Sequence, residues 1–343
     1  MVNNLYVVTP RGFCAGVEMA IKALTWMLKI YDETIYCYHE IVHNDWIVRK
    51  FKNHNVKFVN NPKELPENAI VMLSAHGTAP KIEEKFESIS LTNINSVCPL
   101  VTKVHHEAKR FSEQGTEIIY IGHKNHDEAM GAMGVAPESM TLIESVKDME
   151  DISLETKDVA LLAQTTLAIS EWEPIMIKAK EKFPNLKLPR KNDLCYATTN
   201  RQEAIIKISE KVDLVIVVGS STSSNTNALV TSLKNIGKES YRVEKAEDLN
   251  NINLVNKNVA ITAGASAPDH MVEDLVEYIK PKNIEFYIHK NESEYFPLPA
   301  ELRNNIKNLT NFVSAMFPDN SVESKFGVKN DKNWSAKEAL TSL

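Results

Sequence analysis

Asp193-Leu194-Cys195-Tyr196-Ala197-Thr198-Thr199-Asn200-Arg201-Gln202-Glu203-Ala204 is the stretch whose reading decides the fold. Thr199 and Gln202 stand at the T-x-x-Q spacing of a capping box, and Ile205, Ile206 and Ile208 continue an apolar helical face. The sequence thus predicts a cysteine just ahead of a helix start. Backbone N–H groups point outward there, so the position favours a thiolate, either as a nucleophile or as a metal ligand. For an isolated cysteine a small buried thiol is the competing reading. The rest of the chain argues against it.

The same order occurs twice more. Pro10-Arg11-Gly12-Phe13-Cys14-Ala15-Gly16 precedes a helix whose apolar residues Val17, Ile21, Leu24, Leu28 and Tyr31 recur at helical spacing, and Cys98-Pro99 opens another through Val101, Val104 and Ala108. Each helix is followed by an apolar, strand-like run that ends in a polar turn. Ile35-Tyr36-Cys37-Tyr38 leads to His43, Ile118-Ile119-Tyr120-Ile121 to His126, and Leu214 to Val218 to Ser223-Ser224-Asn225. A second run of each round, Ala69 to Leu73, Val159 to Ala163 or Val259 to Thr262, ends in His76, Thr165 or Ser266. The first polar residues (His43, His126, Asn225) lie 29, 28 and 30 positions after their cysteines, and the second (His76, Thr165, Ser266) lie 62, 67 and 71 after. Strands ending in polar turns place ligands beyond their carboxyl ends. The expected fold is α/β, with three similar α/β domains in a pseudo-threefold arrangement around a common centre. The expected boundaries are 1–97, 98–192, 193–281, and a strap and tail over 282–343, with Phe296-Pro297-Leu298-Pro299 as the strap. A short helix near Leu309 to Phe317 and a polar, mobile, dispensable end complete the expectation.

Bulk properties narrow the function. At 343 residues the chain exceeds the usual size of an undivided core, and its 43% hydrophobic and 24% charged content is that of a globular protein. No apolar run is long enough for a membrane span, and Met1 to Tyr6 leads straight into a strand without a signal-like segment, so a cytoplasmic protein is expected. A net charge of −6 argues against a nucleic-acid partner and favours small-molecule chemistry. The four cysteines lack the spacing of a disulfide scaffold.

Three thiolates converging without a fourth leave one position of a metal centre open. That describes an iron-sulfur cubane on Cys14, Cys98 and Cys195 with one free iron, or a zinc site with an open water position. Cys37, in mid-strand, reads as core. His43, His76 and His126, with Ser223, Ser224 and Asn225, form a donor set suited to a multiply charged anion such as diphosphate. Glu128 is placed to deliver protons, and Thr165 to bond a substrate hydroxyl or relay the proton.

With these residues in place the chain resembles the LytB/IspH family of 4-hydroxy-3-methylbut-2-enyl diphosphate reductases. The resemblance rests on Pro10 to Val17, Val42-His43-Asn44, Ser74 to Gly77, Cys98 to His105, Gly122-His123 with His126 and Glu128, Gln164 to Leu167, Cys195 to Gln202, and Thr262 to Asp269, and it covers about residues 5 to 302. It implies a [4Fe-4S] cluster on Cys14, Cys98 and Cys195 with one open iron. It implies that His43, His76, His126, Ser223, Ser224, Asn225 and Ser266 hold the substrate diphosphate, and that Glu128, beside Thr165, is the proton donor. The implied reaction is reductive removal of the allylic hydroxyl to give isopentenyl and dimethylallyl diphosphate, the last step of the non-mevalonate pathway. No nicotinamide or flavin fingerprint is present, so the expected electron donor is a ferredoxin or flavodoxin. Asp127 departs from the family pattern, which often has proline there. Two other classes remain open on the residues alone: a three-cysteine zinc hydrolase of a phosphorylated substrate, and a non-catalytic iron-sulfur sensor.

Overall fold

A computed structural model of the chain describes residues 1–154, 156, 158–316 and 328–343. Strand β1 (Asn4–Thr9) precedes Cys14, and three rounds of helix, strand, helix, strand, strand, helix follow. The first contains α1 (Ala15–Ile30), β2 (Ile35–Tyr38), α2 (Asp45–Lys52), β3 (Val56–Val59), β4 (Ala69–Leu73) and α3 (Pro80–Ile89), then an added strand, β5 (Ser90–Asn95). The second contains α4 (Pro99–Glu113), β6 (Glu117–Ile121), α5 (Asp127–Met133), β7 (Met140–Ile143), a short extra α6 (Val146–Asp151), β8 (Val159–Ala163) and α7 (Ile169–Lys182). The third contains α8 (Tyr196–Ser209), β9 (Leu214–Val218), α9 (Ser224–Asn235), β10 (Glu239–Val243), β11 (Val259–Ala263) and α10 (Asp269–Ile279). Strand β12 (Asn283–Ile288) and helices α11 (Ala300–Met316) and α12 (Ala336–Thr341) close the described chain.

Three parallel sheets result, with orders β3-β2-β4-β5, β7-β6-β8 and β10-β9-β11-β1-β12. In every sheet the first strand of the round is flanked by the second on one side and the third on the other. The chain reverses direction across the sheet between the first and third strands, and a crevice opens there beyond their carboxyl ends. β4, β8, β9 and β11 are buried along their whole length, as strands covered by helices on both faces must be.

Two features differ from the expected boundaries. β1 does not belong with the first round: it lies between β11 and β12, with Leu5 opposite both Val259 and Ile284. Leu5 and Val8 bury opposite faces of this strand in two separate clusters, so it needs cover on both sides, which an interior position supplies. Asn283–Ile288, assigned to the strap, is likewise a strand of this sheet. By contacts the chain forms two compact units, Met1–Cys14 with Leu100–Ser293, and Ala15–Pro99 with Glu294–Leu343.

The second correction concerns the tail. The expected short helix is α11, which starts at Ala300 and runs to Met316, and Phe317 lies outside the described residues. Within the strap, Leu298 is buried. Residues 328–343 pack onto α1 by a route that its apolar pattern conceals. Glu18, Lys22 and Trp26 are spaced by four and share one stripe of that helix. Glu18 accepts the Ala336 N–H at 2.8 Å, and Trp26 meets Trp334 edge-on with centroids 5.6 Å apart. Lys22, 3% exposed, donates to the Asp331 carbonyl at 2.9 Å and sits 3.3 Å from its carboxylate, which also accepts the Tyr295 hydroxyl at 2.6 Å. Ala336, Ala339 and Leu340 are buried as well. A polar stripe reads in sequence as a solvated face, but here it is the docking surface for the C-terminal segment.

Asp331→Ala leaves the Lys22 ammonium buried without its counter-charge and is expected to lower unfolding stability by about 3–5 kcal/mol. Denaturant melts are the check. A loss below about 1 kcal/mol, the size of an exposed pair, would show that the segment is not anchored through this contact.

Candidate functional site

Each predicted polar turn lies at the carboxyl end of the first or third strand of its round, so each pair faces its own sheet's crevice. In every sheet the two turns touch. The His43 and His76 rings, beyond β2 and β4, stack with centroids 4.0 Å apart and planes 19° from parallel. Beyond β6 and β8, Glu128 accepts the Thr165 N–H at 2.7 Å and meets the Thr165 hydroxyl at 3.0 Å. Beyond β9 and β11, Asn225 accepts the Ala265 N–H at 2.8 Å, and the Ser266 hydroxyl donates to Ser223 at 3.2 Å.

The cysteines share a second regularity. The N–H of Cys98 bonds the Ala75 carbonyl at 3.0 Å, that of Cys195 the Thr165 carbonyl at 3.0 Å, and that of Cys14 the Ala265 carbonyl at 3.2 Å. Each of these three cysteines is thereby tied to the turn that follows a third strand. Cys98 and Cys195 bond the preceding round, and Cys14, which has none before it, bonds the last.

Cys195 caps α8 directly. Its sulfur accepts the Thr198 N–H at 3.3 Å and lies 3.1 Å from the Thr198 hydroxyl. The helix therefore starts at Tyr196, and the capping box expected at Thr199 and Gln202 does not form. Gln202 instead bonds Ile169 and Ser232, because the helix has already begun at Tyr196 and the Thr199 N–H goes to the Cys195 carbonyl at 3.0 Å. The favoured thiolate is also overturned for the bare chain. Burial, followed by the neighbouring Cys14, pushes the Cys195 thiol up to about 11, outweighing the helix-terminal bonds. The Cys195 thiol, with Cys14 beside it, fits a bound cation, which would supply the missing positive charge and take it as a thiolate. Cys37, in β2, is fully buried, and burial alone pushes its thiol up, as for a core residue. None of the four cysteines is in a disulfide.

Glu128 is not on a loop. It lies in the first turn of α5 and is 3% exposed, and burial, partly offset by the two Thr165 bonds, pushes its carboxyl up to about 7. His126 caps that helix, and its Nδ1 accepts the Glu128 N–H at 3.2 Å, so in the neutral ring Nε2 carries the hydrogen. Asp127 occupies the first helical position, where an acidic residue suits the dipole as a proline suits the backbone. Ser223 caps α9, with Ser224 and Asn225 in its first turn, and the N–H groups of that 12-residue helix are a natural anion cradle. Close approach of α9 requires glycine on two strands' ends. A Cβ at Gly219 or Gly264 would lie 2.5 or 2.1 Å from the Thr226 hydroxyl.

Three participants escaped the sequence reading. Counted from the ends of β4, β8 and β11, Thr166 and not Thr165 stands where His76 and Ser266 stand, and its hydroxyl donates to Ser224 at 2.9 Å. Gln164, wholly buried, donates to Thr166 and Ser224 and accepts the His123 N–H. Thr198 bonds both Cys195 and, at 3.2 Å, the Asn225 amide. Alignment by strand ends finds Thr166, whereas the other two act through partners distant in sequence.

The model of the LytB protein family matches residues 5–280. The chain belongs to this family. It is 40% identical over 317 residues to the 4-hydroxy-3-methylbut-2-enyl diphosphate reductase of Buchnera aphidicola, a match covering 89% of this chain and all of that one. Its fold superposes on the E-1-hydroxy-2-methyl-but-2-enyl-4-diphosphate reductase of Plasmodium falciparum with a TM-score of 0.87, at 34% identity, over 90% of this chain and all of that one. A second solved structure, of (E)-4-hydroxy-3-methyl-but-2-enyl diphosphate reductase, described as the terminal enzyme of the non-mevalonate pathway, matches at 0.59 and 30% identity, covering 82% and 99%. LytB membership implies an iron-sulfur cofactor, in keeping with the thiol pair of Cys14 and Cys195. Among the described residues no helix is long and apolar enough to cross a membrane.

Gly264→Ala is expected to lower stability by about 1–3 kcal/mol by overpacking against Thr226, and a second change, Thr226→Ala, to restore part of the loss. Melts of the single and double variants test the pairing. Strictly additive losses would contradict it.

Proposed function

We propose that this chain is an iron-sulfur oxidoreductase that converts (E)-4-hydroxy-3-methylbut-2-enyl diphosphate to isopentenyl and dimethylallyl diphosphate. The relatives' names supply the substrate. The observation on this chain that carries the reading is the buried Glu128–Thr165 pair, a carboxylic acid poised near neutral pH at a sheet crevice. Loss of the allylic hydroxyl as water, with formation of one new C–H bond, consumes two electrons and two protons.

Cys14, Cys98 and Cys195 are the proposed ligands of one [4Fe-4S] cluster with the fourth iron open. When bound, the cluster supplies the electrons, received from a ferredoxin or flavodoxin, and a Lewis acid for the leaving oxygen. The protein's part is binding, orientation and proton delivery. His43, His76 and the Nε2–H of His126 donate to the diphosphate, together with Ser223, Ser224, Asn225, Ser266 and the first turn of α9. Glu128 holds a proton at neutral pH because burial disfavours its charge, and it gives this proton to the departing hydroxyl. The Thr165 hydroxyl, in contact with the same carboxyl, relays the second proton, and its delivery to one or the other end of the allylic unit decides the product.

Burial of Glu128 and Thr165 also keeps bulk water, which would otherwise compete for the proton, from the carboxyl. A zinc hydrolase would use Glu128 as a base on metal-bound water, and the iron-sulfur cofactor that LytB membership implies argues against it. A sensor would have no use for the acid or for the anion donors.

Cys14→Ser, Cys98→Ser and Cys195→Ser are each expected to lose most bound iron and sulfide, and Cys37→Ser to keep them. Iron and sulfide analysis after anaerobic purification decides, and a Cys37 variant that loses its cluster would refute the ligand assignment.

Glu128→Gln should retain the cluster and substrate affinity while turnover falls by about 10²- to 10⁴-fold. A general acid must be protonated to act, so turnover of the unchanged chain should be full below pH 7 and decline as pH rises through about 7, where Glu128 ionises. The glutamine variant should lack that limb. A variant that loses iron, or whose pH profile keeps the same limb, would remove Glu128 from proton delivery.

A further inference from the structure

Arg201 is the largest fully buried side chain described, at 0% exposure, and the reaction as derived makes no use of it. A guanidinium in such surroundings needs its charge matched, and here both terminal nitrogens are bonded while Nε is not. Its Nη1 donates to both oxygens of Glu292 at 3.0 Å and to the Ala197 carbonyl, one turn back in α8, at 3.0 Å. Its Nη2 donates to the Gly12 carbonyl at 2.9 Å. Gly12 lies two residues before Cys14, and Ala197 two residues after Cys195.

One planar group therefore spans the turn of one cysteine and the first turn of the other's helix. The Gly12 turn has little room to move in response. Its φ is +72°, and a Cβ there would lie 2.9 Å from the Asp269 carboxylate, which pairs with Arg11 at 3.5 Å. Glu292 is anchored in turn. Asn200 donates to it at 3.0 Å, Lys290 donates to Asn200 at 3.0 Å, and His289 meets Glu203 at 3.3 Å, so the segment after β12 is stitched along α8.

We propose that Arg201, held by Glu292, is the positioning residue that sets the Cys14 turn against the Cys195 helix and so determines the spacing of these two thiolates for the cluster. The inference rests on the reading of both cysteines as cluster ligands. Lysine keeps the charge but cannot span Gly12, Ala197 and Glu292 at once, because it lacks the planar fork.

Anaerobically reconstituted Arg201→Lys and Glu292→Gln are to be compared with the unchanged chain by the rate of iron loss to a chelator and by the g-values of the reduced cluster. In Arg201→Lys iron loss should be roughly 10- to 100-fold faster, the usual effect of removing a group that orients ligands, and the g-values should shift. Glu292→Gln, which loosens the anchor and keeps the guanidinium, should move both readouts in the same direction by less. A purely structural arginine would lower the melting temperature of the metal-free protein and leave g-values and iron loss as in the unchanged chain, and that result would overturn the proposal. If Arg201→Lys fails to fold, unchanged readouts in Glu292→Gln overturn it equally. An unchanged chain that takes up no iron-sulfur cluster would instead overturn the cysteine assignment beneath it.

Discussion

The rest of the structure depends on three backbone hydrogen bonds, from the cysteine N–H groups to the Ala75, Thr165 and Ala265 carbonyls. Each joins the residue before a long helix to the turn after a third strand. That turn also carries a polar side chain of the crevice, or directly precedes one. In a parallel sheet all strands end on one side, so a single bond at that edge puts a helix start and a polar turn in register. A one-residue change in either loop would break the bond and turn the side chain away. The three rounds keep this relation although their first loops hold different residues: a histidine, a histidine with a glutamate, and a run of serines.

Electrostatics explains why these residues are buried together. Cys195 and Glu128 both have pKa values raised by burial, to about 11 and about 7, and neither carries its charge comfortably without a partner. For the thiol the proposed partner is a metal cation, and for the carboxyl it is the proton it is proposed to deliver. The same low dielectric that makes these groups reluctant to ionise strengthens every donor directed at an anionic substrate. Arg201, by contrast, arrives already neutralised by Glu292, so it can fix the backbone near two thiolates without adding an unmatched charge.

Much of this was legible in the sequence because it lies in periodic features. The cysteines, the apolar runs that became β2, β4, β6, β8, β9 and β11, and the turns after them all stand at intervals that a linear reading can compare. What escaped was decided by distant partners. Leu5-Tyr6-Val7-Val8 reads as a strand, but nothing local says that it pairs with Val259 and Ile284. Nothing local at Glu18 or Lys22 says that the C-terminal segment lies on them. The capping box at Thr199 had the right spacing and lost to a sulfur acceptor four residues earlier, which polar-cap rules do not anticipate. Thr166 was passed over for Thr165 because both are threonines and only the strand end distinguishes them.

The central claim is that thiolates from three similar α/β rounds hold one iron-sulfur cluster with which the chain reduces an allylic diphosphate. Anaerobic purification followed by iron and acid-labile sulfide determination and a turnover assay with a chemical reductant tests it most directly. The account predicts iron and sulfide in equal amounts, about four of each per chain, and conversion of the hydroxylated diphosphate to both five-carbon products. Zinc in place of iron, or a fully loaded cluster with no turnover of that substrate, would contradict it.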